Sequence, residues 1–139
     1  QALAERAAAA LFGSDRASQA LGMKVGAAGP GAACVTMRVR ADMLNGHGTC
    51  HGGLIFALAD TAFAFACNSH NARTVAAAAA IDFLASAHEG DELTAAAREL
   101  WRSRRSGIYE ITVTRQDGER IALFRGRSHQ IEGQVVESP

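Results

Sequence analysis

The sequence predicts a single α+β domain in which one long apolar helix packs against an antiparallel β-sheet. Residues 54–67 form an apolar run that is long enough for about four helical turns. Shorter segments on both sides alternate apolar and polar residues, which is typical of half-buried strands. Because the chain has 139 residues and is 48% apolar, we expect one domain, residues 1–139, with a buried core.

The composition argues against nucleic acids and membranes as partners. Fourteen basic and fourteen acidic residues cancel, so the chain has no overall attraction for either surface. No uncharged apolar run reaches the length of about 18 residues that predicts a membrane span. The three cysteines, Cys34, Cys50 and Cys67, have no disulfide-framework spacing. They favour a reducing, cytoplasmic location.

The two ends of the chain are predicted to differ in structure. Residues 1–22 are expected to be helical, with a first helix that ends at Gly13. Ser14 is expected to cap the start of a second helix, which Gly22 ends. Residues 133–139 are expected to form a loose tail.

Alternation predicts the strands. In residues 32–41 four apolar residues share one face: Ala33, Val35, Met37 and Val39. Residues 107–115 and 121–131 alternate in the same way around an Asp-Gly turn, so they are predicted to form a hairpin. Two alanine-rich segments, 74–86 and 91–102, are ambiguous, because alanine favours helices whereas their flanking residues favour strands.

A single carboxylate, Asp60, interrupts the apolar run. On a helical wheel it lies between Phe56 and Phe63, in a stripe that continues to Cys67. A buried carboxylate is costly unless it is paired or used. Asp60 therefore either pairs with a buried arginine, caps a neighbouring loop, or takes part in chemistry.

Two glycines at the start of the helix favour a catalytic role for Asp60 over a structural one. Gly52 and Gly53 would present backbone N–H groups at the positive end of the helix dipole, where such donors can form an oxyanion hole. Asp60 follows Gly52 by eight residues, about 12 Å along the helix axis, so one carbonyl cannot reach both groups of one chain. If both act on one substrate, they belong to different subunits. This predicts a dimer with paired active sites.

The motifs around this helix resemble those of the hot-dog thioesterases. Within that family they are most similar to the branch that functions in phenylacetic acid degradation. The matching segments are Asn45-Gly46-His47, Thr49 to Gly53 and Ala59 to Ala62. The segments ACNS, IDFL and ALFRGRSH also match, and the resemblance covers nearly the whole chain from about residue 15.

This resemblance implies a hot-dog fold, in which a curled antiparallel sheet wraps one long central helix and the two alanine-rich segments are strands. It implies hydrolysis of acyl-CoA, with phenylacetyl-CoA and its ring-hydroxylated forms as expected substrates. Asp60 would be the nucleophile or general base, and Gly53 with Gly52 would form the oxyanion hole. Asn45 and His51 would orient the thioester or the water, although from the residues alone they could equally shape or cap the loop. The resemblance also implies a dimer with shared active sites and a tetramer built from two dimers.

A further set of residues is expected to bind CoA, which is part of the substrate and not a cofactor. Arginine suits phosphate, although an arginine cluster is also common at a solvated strand end. The expected residues are Arg104, Arg105, Ser106, Gly107 and Arg125. One departure concerns residues 75–81, VAAAAAI, which lack the serine or threonine that holds the attacking water in some relatives. Asn45 is then expected to carry more of the water positioning.

Two other functions are left open by the sequence. A hot-dog dehydratase or hydratase would pair a histidine base with an acid, as His51 and Asp60 could. A non-catalytic acyl-CoA-binding module is the other, although a binding protein gains nothing from a buried Asp60. No zinc site is expected, because the helix separates Cys50 from Cys67 by about 25 Å. No nucleotide cofactor is expected, since no dinucleotide-binding fingerprint follows a strand.

Overall fold

The computed structural model describes residues 1–137. Its three α-helices are α1 (Ala2–Ser14), α2 (Arg16–Ala20) and α3 (Gly52–Cys67), and a 3-10 turn spans Ala41–Met43. Its six strands are β1 (Lys24–Gly29), β2 (Ala32–Arg38), β3 (Ala72–Phe83), β4 (Glu92–Arg102), β5 (Ser106–Arg115) and β6 (Arg120–Gln134). None of the helices in residues 1–137 is long and apolar enough to cross a membrane.

The six strands form one antiparallel sheet in the order β1-β2-β4-β5-β6-β3. Helix α3 packs on one face of this sheet and contacts every strand. The strand residues that face α3 are buried, as Val35, Leu93, Ile111 and Phe124 illustrate. The architecture confirms the predicted α+β class, in which one apolar helix fills the concave face of a sheet.

The alanine-rich segments are strands β3 and β4, as the resemblance implied. Strand β4 lies between β2 and β5, and its Ala95 and Ala97 are buried beneath α3. Pairing on both sides outweighs the helix preference of alanine, which is only a few tenths of a kcal/mol per residue. Strand β3 lies at the edge of the sheet, and its residues 76–80 are exposed.

The N-terminal segment is helical, but its boundaries differ from the prediction. Helix α1 continues through Gly13 to Ser14, and the residue that caps α2 is Asp15 instead of Ser14. The Asp15 carboxylate accepts a hydrogen bond from the Ser18 N–H at 3.0 Å, which is the usual N-cap geometry. Serine and aspartate are both good N-cap residues, so residue preference does not distinguish Ser14 from Asp15. The backbone conformation of the folded chain places Asp15 at the cap.

The structure also contains a strand that alternation did not predict. Strand β1 is rich in glycine and alanine, so it carries no apolar period, and it is held by its pairing with β2. At the other end, β6 extends to Gln134, so the first two residues of the expected tail are in a strand. Residues 138–139 of that tail lie outside the described part of the chain.

Candidate active site

A tight loop precedes α3, and Asn45 organises it. The Asn45 Oδ1 accepts hydrogen bonds from the backbone N–H of His47 at 2.9 Å and of Thr49 at 3.2 Å. The Asn45 N–H also donates to the Thr49 carbonyl at 2.8 Å. Because the side-chain oxygen is engaged by the loop, its NH₂ group is the end left to donate to a ligand. Asn45 therefore shapes the turn and keeps a free donor within residues 1–137.

His51 caps the start of α3 with its ring. Its Nδ1 accepts a hydrogen bond from the Gly53 N–H at 3.0 Å, and its carbonyl accepts from the Leu54 N–H at 3.0 Å. A neutral imidazole that accepts at Nδ1 carries its proton on Nε2. The His51 side chain is exposed, so this Nε2–H is directed away from the helix as an available donor.

Gly52 provides the free backbone donor at this helix end. Its N–H has no acceptor within residues 1–137, whereas the Gly53 N–H is engaged by His51. A Cβ atom on Gly52 would lie 3.2 Å from the ring of Phe83, whose side chain is 52% exposed. The first turn of α3 thus presents one unused N–H beside an exposed aromatic ring. This arrangement favours an acyl group with a carbonyl at Gly52 and an apolar portion against Phe83.

Asp60 lies in the third turn of α3 and is half-buried. Its carboxylate has no hydrogen bond or ion pair with any residue in 1–137, so the pairing with a buried arginine is absent there. Burial, and to a smaller degree the negative charge of Asp15, raises the pKa of the Asp60 carboxyl above its usual range. An accessible carboxylate with a raised pKa is well suited to general-base or nucleophilic work.

The single chain does not bring all of the predicted catalytic residues together. Asn45 lies in the loop that leads into α3, and His51 and Gly52 lie at the start of the helix, where Gly53 donates to the His51 ring. Asp60 lies about 12 Å further along the same helix, beyond the reach of a carbonyl held at Gly52. One chain therefore supplies the donors and the carboxylate as two half-sites.

Three of the residues expected to bind CoA line one cavity. Its volume is about 460 Å³, and it lies where the C-terminal end of α3 meets the β4–β5 turn. The arginines and hydroxyl groups of that turn face Cys67 across it. The lining residues that the argument uses are Cys67, Arg102, Arg104, Arg105 and Ser106. Burial, and to a smaller degree the negative charge of Asp60, raises the pKa of the Cys67 thiol to about 12.

The other two expected CoA residues lie outside this lining. Gly107 is buried, and a Cβ atom there would lie 2.7 Å from the Tyr109 ring. Arg125 is exposed between the buried Phe124 and Gly126, which puts it on the opposite face of the sheet from α3. Gly107 therefore makes room for Tyr109, and Arg125 does not reach the cavity from its own chain.

A polar network beside the cavity was not predicted from the sequence. The His70 Nε2 lies 2.9 Å from the Glu99 Oε1, and the Tyr109 hydroxyl donates to the same oxygen at 2.7 Å. Burial opposes ionisation of Glu99, but these two hydrogen bonds prevail and lower its pKa. The three residues are 10 to 39 positions apart in the chain, so no local motif could have signalled them. Among residues 1–137, no group of three or more His, Cys, Asp or Glu side chains could hold a metal ion.

Comparison with known proteins identifies the family of the chain and its fold. The model of the thioesterase superfamily matches residues 47–122, which include the α3 half-sites and most of the sheet. The chain belongs to the thioesterase superfamily, and both the hot-dog fold and the thioester-hydrolase class that the motifs implied are confirmed.

Two of the similar proteins carry the name of the expected branch. The chain is 47% identical to the acyl-coenzyme A thioesterase PaaI of Escherichia coli K12 over 91% of each chain. The structure of the E. coli PaaI protein from the phenylacetic acid degradation operon is 46% identical with a TM-score of 0.94, over 95% of this chain and 96% of that one. A protein of Streptococcus mutans UA159 bound to acetyl-CoA is 26% identical with a TM-score of 0.78, over 81% and 90% of the two chains.

Proposed function

We propose that the protein hydrolyses aromatic acyl-CoA thioesters of the phenylacetyl type, including ring-hydroxylated forms, to the free acid and CoA. The observation that carries the proposal is the unpaired, half-buried carboxylate of Asp60 on a helix that begins with a free Gly52 N–H. The name of the E. coli relative supports an acyl-CoA substrate. The description of the E. coli PaaI structure as a protein from the phenylacetic acid degradation operon supports the phenylacetyl class. The exposed ring of Phe83 beside Gly52 fits an aromatic acyl group.

In this proposal Asp60 acts in one of two ways. As a nucleophile, its carboxylate oxygen bonds to the thioester carbonyl carbon, the C–S bond breaks, and water then hydrolyses the mixed anhydride. As a general base, it accepts a proton from water while the water oxygen bonds to that carbon; the C–S bond then breaks, and the proton passes to the departing CoA sulfur. In both cases negative charge develops on the carbonyl oxygen. The Gly52 N–H and the His51 Nε2–H are the donors that are free to receive it.

The hydrogen bond of the Gly53 N–H gives this residue a different role from the oxyanion-hole donor expected of it. Its N–H already donates to the His51 ring, so we assign Gly53 to orienting that ring. The Asn45 NH₂ group is the remaining donor near the same point and would orient water or the thioester. Residues 76–80 of β3 are alanines and offer no hydroxyl for this task.

We infer that a second copy of the chain completes the site. Strand β3 has twelve residues at the edge of the sheet, and its exposed alanines form a surface that can pair with another strand. Phe83 at one end of β3 lies beside Gly52, and Thr74 near the other end lines the arginine cavity. Antiparallel pairing of two β3 strands about a two-fold axis would therefore bring the Gly52 half-site of one chain to the Asp60 and cavity side of the other. A tetramer would be two such dimers.

In the paired arrangement, the cavity fits the CoA part of the substrate. Arg104 and Arg105 would contact phosphate oxygens, and Ser106 would line the path of the chain toward Asp60. No cofactor takes part, because CoA enters and leaves as part of the substrate. The three free thiols suit a reducing cytoplasm, which we propose as the location of the reaction.

The direct test is the release of free thiol from a panel of aromatic and aliphatic acyl-CoAs by the wild type and by Asp60→Asn. Release that is fastest with arylacetyl chains and depends on Asp60 is expected. Release with no preference for aryl chains would overturn the substrate class but keep the reaction. No release from any member, together with turnover of a 3-hydroxyacyl or enoyl thioester, would favour a dehydratase or hydratase, and binding without turnover would favour a binding module.

The shared site has its own test. Asp60→Asn chains carry an intact donor half-site, and Gly52→Val chains carry an intact Asp60 with the donor half-site obstructed by the new side chain, which crowds the Phe83 ring. Mixed dimers of the two should regain about one working site of two. Absence of recovery in dimers shown to be mixed would contradict the shared arrangement.

A further inference from the structure

His70 and Glu99 form a hydrogen-bonded pair beside the cavity that contains the arginines. The His70 Nε2 lies 2.9 Å from the Glu99 Oε1, and the two side chains are 22% and 25% exposed. His70 lines the cavity together with Arg102, Arg104 and Arg105. The cavity, at about 460 Å³, is in the size range of small-molecule sites. The fold therefore places an imidazole in the same cavity as three guanidinium groups, with a carboxylate bonded to the ring.

The hydrogen bonds of Glu99 determine where the His70 ring carries its hydrogen. The Tyr109 hydroxyl donates to the Glu99 Oε1 at 2.7 Å, and an ionised carboxylate only accepts, so the His70 Nε2 is a donor to the same oxygen. The other ring nitrogen, Nδ1, has no hydrogen-bond partner among residues 1–137. It is the ring nitrogen that remains for a ligand in the cavity. Nδ1 offers a lone pair in the neutral ring and a second N–H in the protonated ring.

The β1–β2 turn holds the backbone on both sides of this pair. The Glu99 N–H donates to the Gly31 carbonyl at 2.8 Å. The Gly31 N–H donates at 2.8 Å to the Oγ of Ser69, the residue before His70. Gly31 has a φ of +69°, and a Cβ atom there would lie 2.9 Å from the Glu99 Cβ, so the turn needs a glycine to approach this closely. The ring and the carboxylate are thus positioned before a ligand binds.

We propose that His70 is a further binding residue for the phosphate groups of the substrate, and that it binds them as an imidazolium with Glu99 as its counter-ion. This role rests on the proposed function, because the phosphates are those of CoA. A phosphate oxygen is an acceptor, so it attracts the Nδ1–H of the protonated ring and repels the lone pair of the neutral ring. Phosphate binding should therefore transfer a proton from solution to Nδ1. By reciprocity, CoA should bind more tightly as the pH falls.

The other titratable groups around the ring come from α3, β4, the β4–β5 turn and β5. The three arginines of the cavity oppose a further positive charge until a phosphate neutralises them. Cys67 and Tyr109 are uncharged near pH 7, because burial raises the pKa of both side chains. The Glu99 carboxylate is the group that favours the imidazolium. Strands β3 and β6 add uncharged side chains to the lining: Ala72, Thr74, Ser128 and Gln130.

Calorimetric titration with CoA, the product of the proposed reaction, tests this role without turnover. Binding heats at pH 7.5 in two buffers of different ionisation enthalpy give the number of protons taken up per CoA bound. The phosphate monoester of CoA has a second pKa of about 6, so it releases little proton at pH 7.5, and it does so equally in every variant. The Kd for CoA is measured in parallel at pH 6.5 and pH 8.5.

Three variants give the comparison. His70→Gln keeps an amide donor for Glu99 but cannot take up a proton. Glu99→Gln keeps an acceptor for the Tyr109 hydroxyl and removes the counter-ion. His88→Gln is the matched control, because the His88 Nδ1 also faces a carboxylate, that of Asp91 at 3.9 Å, but at the opposite end of β4 from the cavity.

We expect the wild type and His88→Gln to take up a fraction of a proton per CoA, Glu99→Gln to take up less, and His70→Gln to take up none. At pH 6.5 the Kd of His70→Gln should be about tenfold higher than that of the wild type, the usual effect of losing one charge-assisted hydrogen bond. At pH 8.5, where an imidazole is mostly neutral, the two Kd values should lie closer together.

Equal proton uptake in the wild type and in folded His70→Gln would overturn the role of His70, and it would mean that the pair only joins α3 to β4. If His70→Gln does not fold, equal uptake in the wild type and Glu99→Gln is the overturning result. Thiol release from acyl-CoA without proton-linked CoA binding would keep the proposed hydrolysis and overturn this role. Proton-linked binding that depends on His70, without thiol release from any acyl-CoA, would keep this role and contradict the hydrolysis.

Discussion

The backbone N–H of Gly53 donates to the Nδ1 of His51 at 3.0 Å, in the first turn of α3. This bond has two consequences for the proposed chemistry. It occupies one of the two glycine donors that the sequence suggested for an oxyanion hole, and it sets the tautomer of His51 so that the Nε2–H faces outward. The histidine is therefore both the cap of the helix and a candidate donor to the substrate.

Two substitutions of His51 should separate these roles. Asn is a strong N-cap, so His51→Asn is expected to keep the wild-type free energy of unfolding, whereas His51→Ala should lose about 0.5–1 kcal/mol. Both remove the Nε2–H, so both should lower kcat on the order of 10²-fold. Urea denaturation and thiol-release kinetics measure the two effects. Full activity in His51→Asn would show that the ring is only a cap.

Replacement of Asp60 should affect activity and stability in opposite directions. Asp60→Asn is expected to lower kcat by at least the order of 10²-fold, since the base or nucleophile is lost. The folded-state pKa of Asp60 is raised, so its ionisation favours the unfolded chain, and stability is lost as the pH rises through that pKa. Asp60→Asn has no ionisable group at this position, so its stability does not decrease in this way. Its free energy of unfolding should exceed that of the wild type at pH 7, with a difference that shrinks as the pH falls toward the unfolded-state pKa of about 4.

Urea denaturation of both proteins at several pH values between 4 and 8 would measure that difference. Equal stability at pH 7 would mean that the Asp60 carboxylate is well solvated in the folded protein. Near-normal thiol release by Asp60→Asn would contradict the catalytic assignment.

The arginines of the β4–β5 turn should act on substrate affinity and leave the chemical step unaffected. Arg104→Ala combined with Arg105→Ala is expected to raise KM for acyl-CoA about tenfold or more, equivalent to about 1.4 kcal/mol, with little change in kcat. Arg38→Ala is the control, because Arg38 is exposed at the opposite end of β4, where it lies across from Glu92 in the register of β2 and β4. An unchanged KM in the double variant would remove these arginines from the CoA site.

Packing around Gly126 gives a prediction about stability. A Cβ atom there would lie 2.7 Å from the ring of Phe63, which is 1% exposed and packs against the rings of Tyr109 and Phe124. Because that ring has no room to move, Gly126→Ala should cost about 1–3 kcal/mol. Gly13→Ala, in a helix with nothing within 4 Å of the new atom, should instead stabilise by about 0.5–1 kcal/mol. Thermal unfolding of both variants measures the contrast, and equal melting temperatures would contradict it.

The sequence by itself determined the parts of this protein that depend on local pattern. Period and length predicted α3 and the β5–β6 hairpin, and Asp60 stood out because a carboxylate is rare in an apolar helix. The alanine-rich strands were assigned only through the family resemblance, because their composition favours a helix while sheet pairing decides for a strand. Strand β1 was missed for a related reason, since glycine and alanine carry no alternation.

Tertiary structure decided the relationships between distant residues. The sequence placed Gly52 and Gly53 together as equivalent donors, but the His51 ring distinguishes them by accepting from only one. The fold joins Ser18 of α2 to Thr61 of α3 over 43 positions, and it joins His70 to Glu99 over 29 positions. Such contacts depend on how helices and strands pack, and the energy of a charge depends on what surrounds it after packing. Local pattern thus identified the candidate reacting groups, whereas packing set which of their hydrogen-bonding atoms are free.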